Sequence, residues 1–198
     1  MNSARLPYAF YARGARVVAR ALLGKRLVHL WEGQRLAGVI TETEAYCDSV
    51  EPDLACHGSK NKGRPTARTA VMFGSAGHVY MYLNYGIHWM FNVVTGQPDQ
   101  ANAVLIRAVE PIEGVAVIQT NRANQPRPLW ADGPGKLTQA LNLDKSLNGM
   151  NLCDPNGVIW IEDAPPVPEL SIQVGPRIGL GKTPEPWFSI PWRYWIRS

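Results

Sequence analysis

The sequence predicts a single α+β domain, and three observations lead there. The chain has 198 residues, 45% of them hydrophobic, enough to bury one full core. No internal repeat and no linker-like tract divides it. Two stretches carry strand patterns that fold back across glycine-containing turns, while helical patterns are confined to short segments. Its 18 glycines and 16 prolines imply many turns and short elements.

Taken in order, residues 1–7 read as a flexible start. Phe10 to Leu23 reads as an amphipathic helix, with Val17, Val18, Ala21 and Leu22 apolar, Arg13, Arg16 and Arg20 between them, and Gly24 as the stop. Lys25 to Leu30 is a short strand, which Trp31-Glu32-Gly33-Gln34 turns back into a second strand, Leu36 to Tyr46. Side chains two apart on a strand share a face, so Ile40, Glu42, Glu44 and Tyr46 line up together. Two carboxylates that close raise at least one pKa unless water or a cation separates them. Taken alone, the pattern fits a solvated strand end equally well.

The stretch from Cys47 to Arg68 is polar and rich in turn formers. Lys60, Lys62, Arg64 and Arg68 lie close together there with no acid between them, which suits either a solvated loop or a phosphate-contacting one. His57, alone in this loop, reads on its own as structural or exposed. Gly77 to Val94 forms a second hairpin with its turn near Asn84-Tyr85-Gly86, and His78, Tyr80 and Tyr82 share a face. Tyr85 at the tip needs a partner, either a neighbouring loop or a base stack that it enters as a wedge.

Ala103 to Val109 is a strand interrupted by a charge, Arg107, which requires a carboxylate, a phosphate or a pocket mouth. Pro111 is expected to end it. Ile112 to Asn121 reads as a helix. A further helix opens at Gly133-Pro134-Gly135-Lys136 and runs to about Leu143, its start being equally an anion site or simply a well-made helix start. Short strands follow at Val158–Ile161, Ser171–Val174 and Trp192–Ile196. Gly175 to Thr183 is a loop. Pro176 stands where a phosphate-binding loop needs glycine, and Pro184 and Pro186 forbid the helix such a loop requires.

Composition narrows the function. The net charge of +4 suits an anionic partner without demanding one. The 3 cysteines, Cys47, Cys56 and Cys153, have no zinc spacing and read as reduced thiols. No metal set, nucleophile elbow or dinucleotide fingerprint is present, so no metal and no cofactor is expected. There is no export signal or membrane-spanning run, which places the protein in the cytoplasm at the bacterial nucleoid, or in a eukaryotic nucleus. What remains is a strand-borne Glu, aromatics on neighbouring hairpins and basic loops. That set suits chemistry on a base flipped out of a duplex: aromatics stack on the base at about 1–3 kcal/mol per base, cations hold phosphates, and one carboxylate activates a water.

The same residues carry a resemblance. Glu42-Thr43-Glu44-Ala45-Tyr46, Asp53 to His57, Gly63-Arg64-Pro65-Thr66-Ala67-Arg68, Met72-Phe73, Tyr80 to Gly86 and Asn92-Val93-Val94 occur in the order and at the spacing of the alkyladenine (3-methyladenine) DNA glycosylase family. Leu22 to Lys25, Leu105 to Pro111, Gly133 to Leu137 and Arg177-Ile178-Gly179 extend the similarity from about Tyr11 to Arg197. Each motif is weak alone; together they are specific.

The resemblance implies one compact domain, residues 1–198, with a curved, mainly antiparallel sheet, a protruding hairpin and surrounding helices. It implies a monofunctional glycosylase, acting as a monomer on double-stranded DNA, that excises alkylated or deaminated purines. Glu44 matches the water-activating carboxylate, and Arg107 an arginine that helps hold the water. Tyr46 would stack on one face of the flipped base, with His57 and Tyr82 on the other. Asn92 would sit at the pocket floor, where it clashes with the exocyclic amine of guanine, and Tyr85 would intercalate. Lys62, Arg64, Thr66, Arg68, Lys136 and Arg177 would contact the DNA backbone. Cys56 and Thr69 depart from the family's pattern, and the chain ends at Ser198, where relatives run on through a serine-proline segment. Two competing readings use similar residues. A nucleoside hydrolase lacks its aspartate cluster here, and a non-catalytic damaged-DNA-binding protein would leave Glu44 idle.

Overall fold

The structure is a computed structural model and describes residues 4–47, 52–123 and 125–197. Its longest strand, β2 (Gln34–Tyr46), is long enough to take different partners along its length. On one edge β2 pairs first with β1 (Arg26–Trp31) and then, through Glu42 to Glu44, with β8 (Arg193–Ile196). Along the other edge it pairs with β5 (Ala103–Glu113). The hairpin β3 (Val79–Asn84) and β4 (His88–Val94) extends the sheet from β5, while β6 (Ile159–Glu162) closes the far edge and β7 (Ile172–Gly175) pairs with β8. The result is one eight-stranded sheet, antiparallel throughout, in the order β3-β4-β5-β2-β1-β6, with β8 joining at β2. The architecture is therefore α+β, as the sequence predicts.

Local chemistry explains where elements differ from expectation. The first helical stretch is two helices, α1 (Tyr8–Tyr11) and α2 (Ala15–Leu22). Gly14, a weak helix former, stands at the break, and its carbonyl accepts from Val17 and Val18 to start the second helix. The buried stripe of α2 is Ala15, Val18, Ala19 and Leu22, whereas Val17 is 54% exposed. β5 runs through Pro111 instead of ending there. Pro111 lies opposite Gly38, where a register shift interrupts the ladder, and a bulge tolerates the missing donor. Consequently helix α3 (Val115–Asn121) begins only after Gly114. Helix α4 spans Pro134–Ala140.

The expected flexible start does not hold for residues 4–7. Leu6 is buried and donates to Ile161 O at 2.9 Å, and Arg5 bridges to Glu162. The open edge of β6 captures this segment, because an unpaired strand edge offers it backbone partners. Residues 1–3 of that expectation lie outside the described residues.

The main core is built on Tyr11, Leu22, Leu27, Leu36, Ile40, Phe91, Ile106, Ile118 and Leu137, with α2 against β2 and β5 and α4 against β4 and β5. A second, smaller cluster of Cys56, Met72, Tyr80, Val94, Ala101 and Ala103 supports Tyr46 and Tyr82. Among the described residues no helix is long and apolar enough to cross a membrane.

Candidate active site

The site forms where β2 meets β5 with two register irregularities. Glu42 faces Ala108 and Thr43 faces Ile106, so Arg107 is skipped in the ladder. Such a bulge re-aims a side chain. Arg107 Nε lies 3.0 Å from Glu42 Oε1, and its Nη1 lies 3.2 Å from Glu44 Oε2. The charge inside the apolar run is thus met by the two carboxylates of the neighbouring strand. Arg193, brought in by β8, shares Glu42 Oε1 at 3.0 Å.

Glu44 is fully enclosed. Its Oε2 accepts from the Tyr46 hydroxyl at 2.8 Å, and its Oε1 accepts from the backbone N–H of Ile178 at 2.7 Å. Burial pushes the Glu44 carboxyl above the ordinary carboxylate range. That effect outweighs the opposing pull of Arg107, the Ile178 N–H and the Tyr46 hydroxyl, and Glu42 adds to it. Burial also raises the Tyr46 phenol well above its ordinary value, so Tyr46 stays protonated and donates.

Beside these charges lies a cleft of about 350 Å³, within the size range of small-ligand pockets. Tyr46, His57, Tyr82, Asn92 and Arg107 all line it, which brings together residues the sequence places on separate segments. The rings of His57 and Tyr82 meet edge-on with centroids 4.5 Å apart, and Tyr80 OH lies 2.9 Å from His57 Nδ1. Burial lowers the His57 pKa to about 4, helped by the cations Lys60 and Arg68, so the ring is neutral at neutral pH. Asn92 is buried, and its Nδ2 donates to the carbonyls of Tyr80 at 3.1 Å and Met90 at 3.2 Å.

Tyr85 stands at the tip of the β3–β4 hairpin, 83% exposed and at the rim of the cleft. Tyr85 and Gly86 both have positive φ, 50° and 73°, which a tight tip requires. Lys62, Arg64, Thr66 and Arg68 are exposed. Thr66 also bonds Thr69, Oγ1 to Oγ1, at 3.0 Å. Arg68 folds over the Tyr82 ring, 5.2 Å from its centroid, and donates to Leu83 O. Lys136 pairs with Asp132 at 2.9 Å on the surface.

Arg177 does not lie where a phosphate could reach it. Its side chain is fully buried in a two-point ion pair with Asp53, at 2.5 and 2.9 Å. An arginine behind a proline-rich surface loop looks accessible in sequence, but Asp53 gives it an internal partner. Sequence reasoning also missed Ile178, because it acts through its backbone N–H and no side-chain pattern marks it. It missed Arg193 as a partner of Glu42; a cation in a strand pairing with the Glu-bearing strand is the signal that could have found it.

Comparison with known proteins gives a consistent picture. The family described as methylpurine-DNA glycosylase (MPG) matches residues 9–198. A protein of Myxococcus xanthus is 47% identical over 98% of this chain and 90% of its own length. One from Carboxydothermus hydrogenoformans is 42% identical, covering 98% and 95%, and one from Methanocella arvoryzae is 44% identical, covering 98% and 92%. All three bear the name "Putative 3-methyladenine DNA glycosylase".

Proposed function

This chain belongs to the methylpurine-DNA glycosylase family and is a DNA N-glycosylase, and from that premise we propose that it flips alkylated or deaminated purines out of the duplex and hydrolyses their N-glycosidic bond. The class includes 3-methyladenine, 7-methylguanine and hypoxanthine, and their removal starts base excision repair. The observation that carries the proposal is Glu44, a buried carboxylate held by Tyr46, Ile178 and Arg107, three residues that themselves line the aromatic cleft.

In this reading the flipped purine rests between Tyr46 and the His57–Tyr82 pair. A purine made cationic by alkylation gains a cation–π attraction to the tyrosines, worth about 0.5–2 kcal/mol. Asn92 tests the edge of the base, and Tyr85 fills the gap left in the stack. Glu44 takes a proton from water while the water oxygen bonds to C1′ of the sugar. The electron pair of the glycosidic bond leaves with the base. An alkylated cationic purine departs neutral and needs no general acid, whereas neutral hypoxanthine takes up a proton from solvent as it leaves with the bonding pair. Arg107 orients the carboxylate and the water.

Lys62, Arg64 and Thr66 hold the DNA backbone, with Lys136 joining them by exchanging its surface partner Asp132 for a phosphate, since an exposed pair is worth only about 0–1 kcal/mol. Every residue named comes from one chain, so a monomer suffices.

The complete enclosure of Glu44 favours one rival, a damaged-DNA-binding protein in which the carboxylate is idle. Incubation with methylated duplex DNA separates the two. Release of free methylpurine is expected; tight binding without release supports the rival.

A further inference from the structure

The Asp53–Arg177 ion pair is used by none of the steps above. A buried pair of this kind contributes little net stability compared with apolar residues of the same volume. Its neighbours suggest another use. Arg177 Nη1 donates to Ala45 O at 3.0 Å, the carbonyl between Glu44 and Tyr46. Its guanidinium lies 4.7 Å from the centroid of the Tyr46 ring and 5.1 Å from that of Trp192, and its Nη2 donates to Trp187 O. The next residue, Ile178, is the one whose N–H caps Glu44 Oε1. Asp53 also accepts from Ala55 N at 3.0 Å, in the segment that leads to His57.

Beyond Ile178 the loop is held only locally, by a turn in which Thr183 Oγ1 donates to Leu180 O at 2.7 Å. Gly179 and Gly181 are both left-handed, and nothing lies within 4 Å of where a Cβ would sit on either. Arg193 Nε donates to Pro176 O at 3.0 Å, but the buried side chain that ties this loop to the Glu44 strand is Arg177.

We propose that the Asp53–Arg177 pair is a positioning device: it sets the Ile178 N–H on Glu44, fixes the plane of Tyr46, and ties the His57 loop to the same frame. The inference rests on Glu44 being the base. It assigns Arg177 to the inside of the site in place of the DNA backbone. The groups facing Glu44 are Glu42 and Tyr46 on its own strand, Arg107 from β5, Tyr82 from β3, and Arg177 with the Ile178 N–H from the loop. Arg193 of β8 acts on it through Glu42. Loss of the loop contribution removes interactions that favour the Glu44 anion.

The test uses the double variant Asp53→Asn/Arg177→Met, which strands no buried charge, and Arg177→Lys, which keeps the charge but loses the two-point fork. Three readouts are taken on the full chain: titration of the Glu44 carboxyl by carbon NMR, single-turnover release of hypoxanthine from a duplex, and the salt dependence of binding to undamaged duplex. The expected result is an upward move of the Glu44 titration, a fall in release of roughly 10–10²-fold as the site is misplaced, and an unchanged salt slope. Unchanged titration and release in a folded variant overturn the proposal. So does a salt slope reduced by about one, which marks a phosphate contact. If the wild type releases nothing while the Glu44 titration still moves, the positioning stands and the role of Glu44 as base falls. Should the double variant not fold, Arg177→Lys carries the same three readouts.

Discussion

The backbone N–H of Ile178 reaches Glu44 Oε1 across 2.7 Å, although 134 positions separate the two residues in the chain. The contact closes the carboxylate from one side while Arg107 and Tyr46 close it from the other. A carboxylate held this way has a fixed direction for its lone pairs, which a general base needs, and an environment that sets when it ionises.

The first expectation concerns pH. Activity requires the Glu44 anion, and that anion is lost as pH falls through its pKa. Burial raises this pKa above the ordinary 4.5, so the acid limb of the single-turnover rate should lie above 4.5. A rate profile that stays flat down to that value would show that the base is not a carboxylate whose pKa is raised by burial.

Tyr85 is expected to act before chemistry. At 83% exposure it has no burial to lose in the free protein. Tyr85→Ala should weaken binding to a paired lesion, where a few kcal/mol of unpairing and unstacking must be offset. The defect should shrink for a lesion in single-stranded DNA or opposite a mismatch, whereas Tyr46→Ala should be defective on all of them. Equal defects for Tyr85→Ala on paired and single-stranded substrates would remove the wedge role.

Lys62 and Arg64 are exposed cations on the loop after His57. Replacing either with Ala should reduce the salt slope of binding by about one and weaken damaged and undamaged duplex alike. Arg68 should differ, because it lies over the Tyr82 ring. Its replacement should weaken damaged DNA more than undamaged DNA in the same titrations.

Much of this was legible in the sequence for a physical reason. Strand alternation puts Glu42, Glu44 and Tyr46 on one face, and hairpin chemistry puts Tyr85 at a tip; both follow from local rules. Arg107 could be recognised as a charge in need of a partner. What was not legible depends on contacts between distant segments. Pro111 continues a strand because β5 bulges beside it, with Ile112 left out of the ladder opposite Ala37 and Gly38. Ile178 acts through a backbone group that every residue has. Arg177 is internal because Asp53, far away in sequence, is internal too.

That ion pair also yields a stability expectation. Asp53→Ala leaves Arg177 buried without its carboxylate, and breaking such a pair costs about 3–5 kcal/mol. The urea midpoint should drop accordingly with little change in slope. Asp53→Asn/Arg177→Met should lose much less. A single variant as stable as the wild type would show that Arg177 reaches water when Asp53 is gone.

The most direct measurement compares Glu44→Gln with Glu42→Gln in single-turnover excision from a hypoxanthine-containing duplex. Both carboxylates lie beside Arg107, so electrostatics alone does not separate them. Glu44→Gln keeps the shape and removes the base, and release should fall about 10²–10⁴-fold with DNA binding retained. Glu42→Gln loosens the hold on Arg107 and Arg193 and removes one charge that raises the Glu44 pKa, but leaves the base in place, and the loss should be much smaller. A Glu44→Gln variant that releases hypoxanthine near the wild-type rate would contradict the assignment of Glu44 as the base.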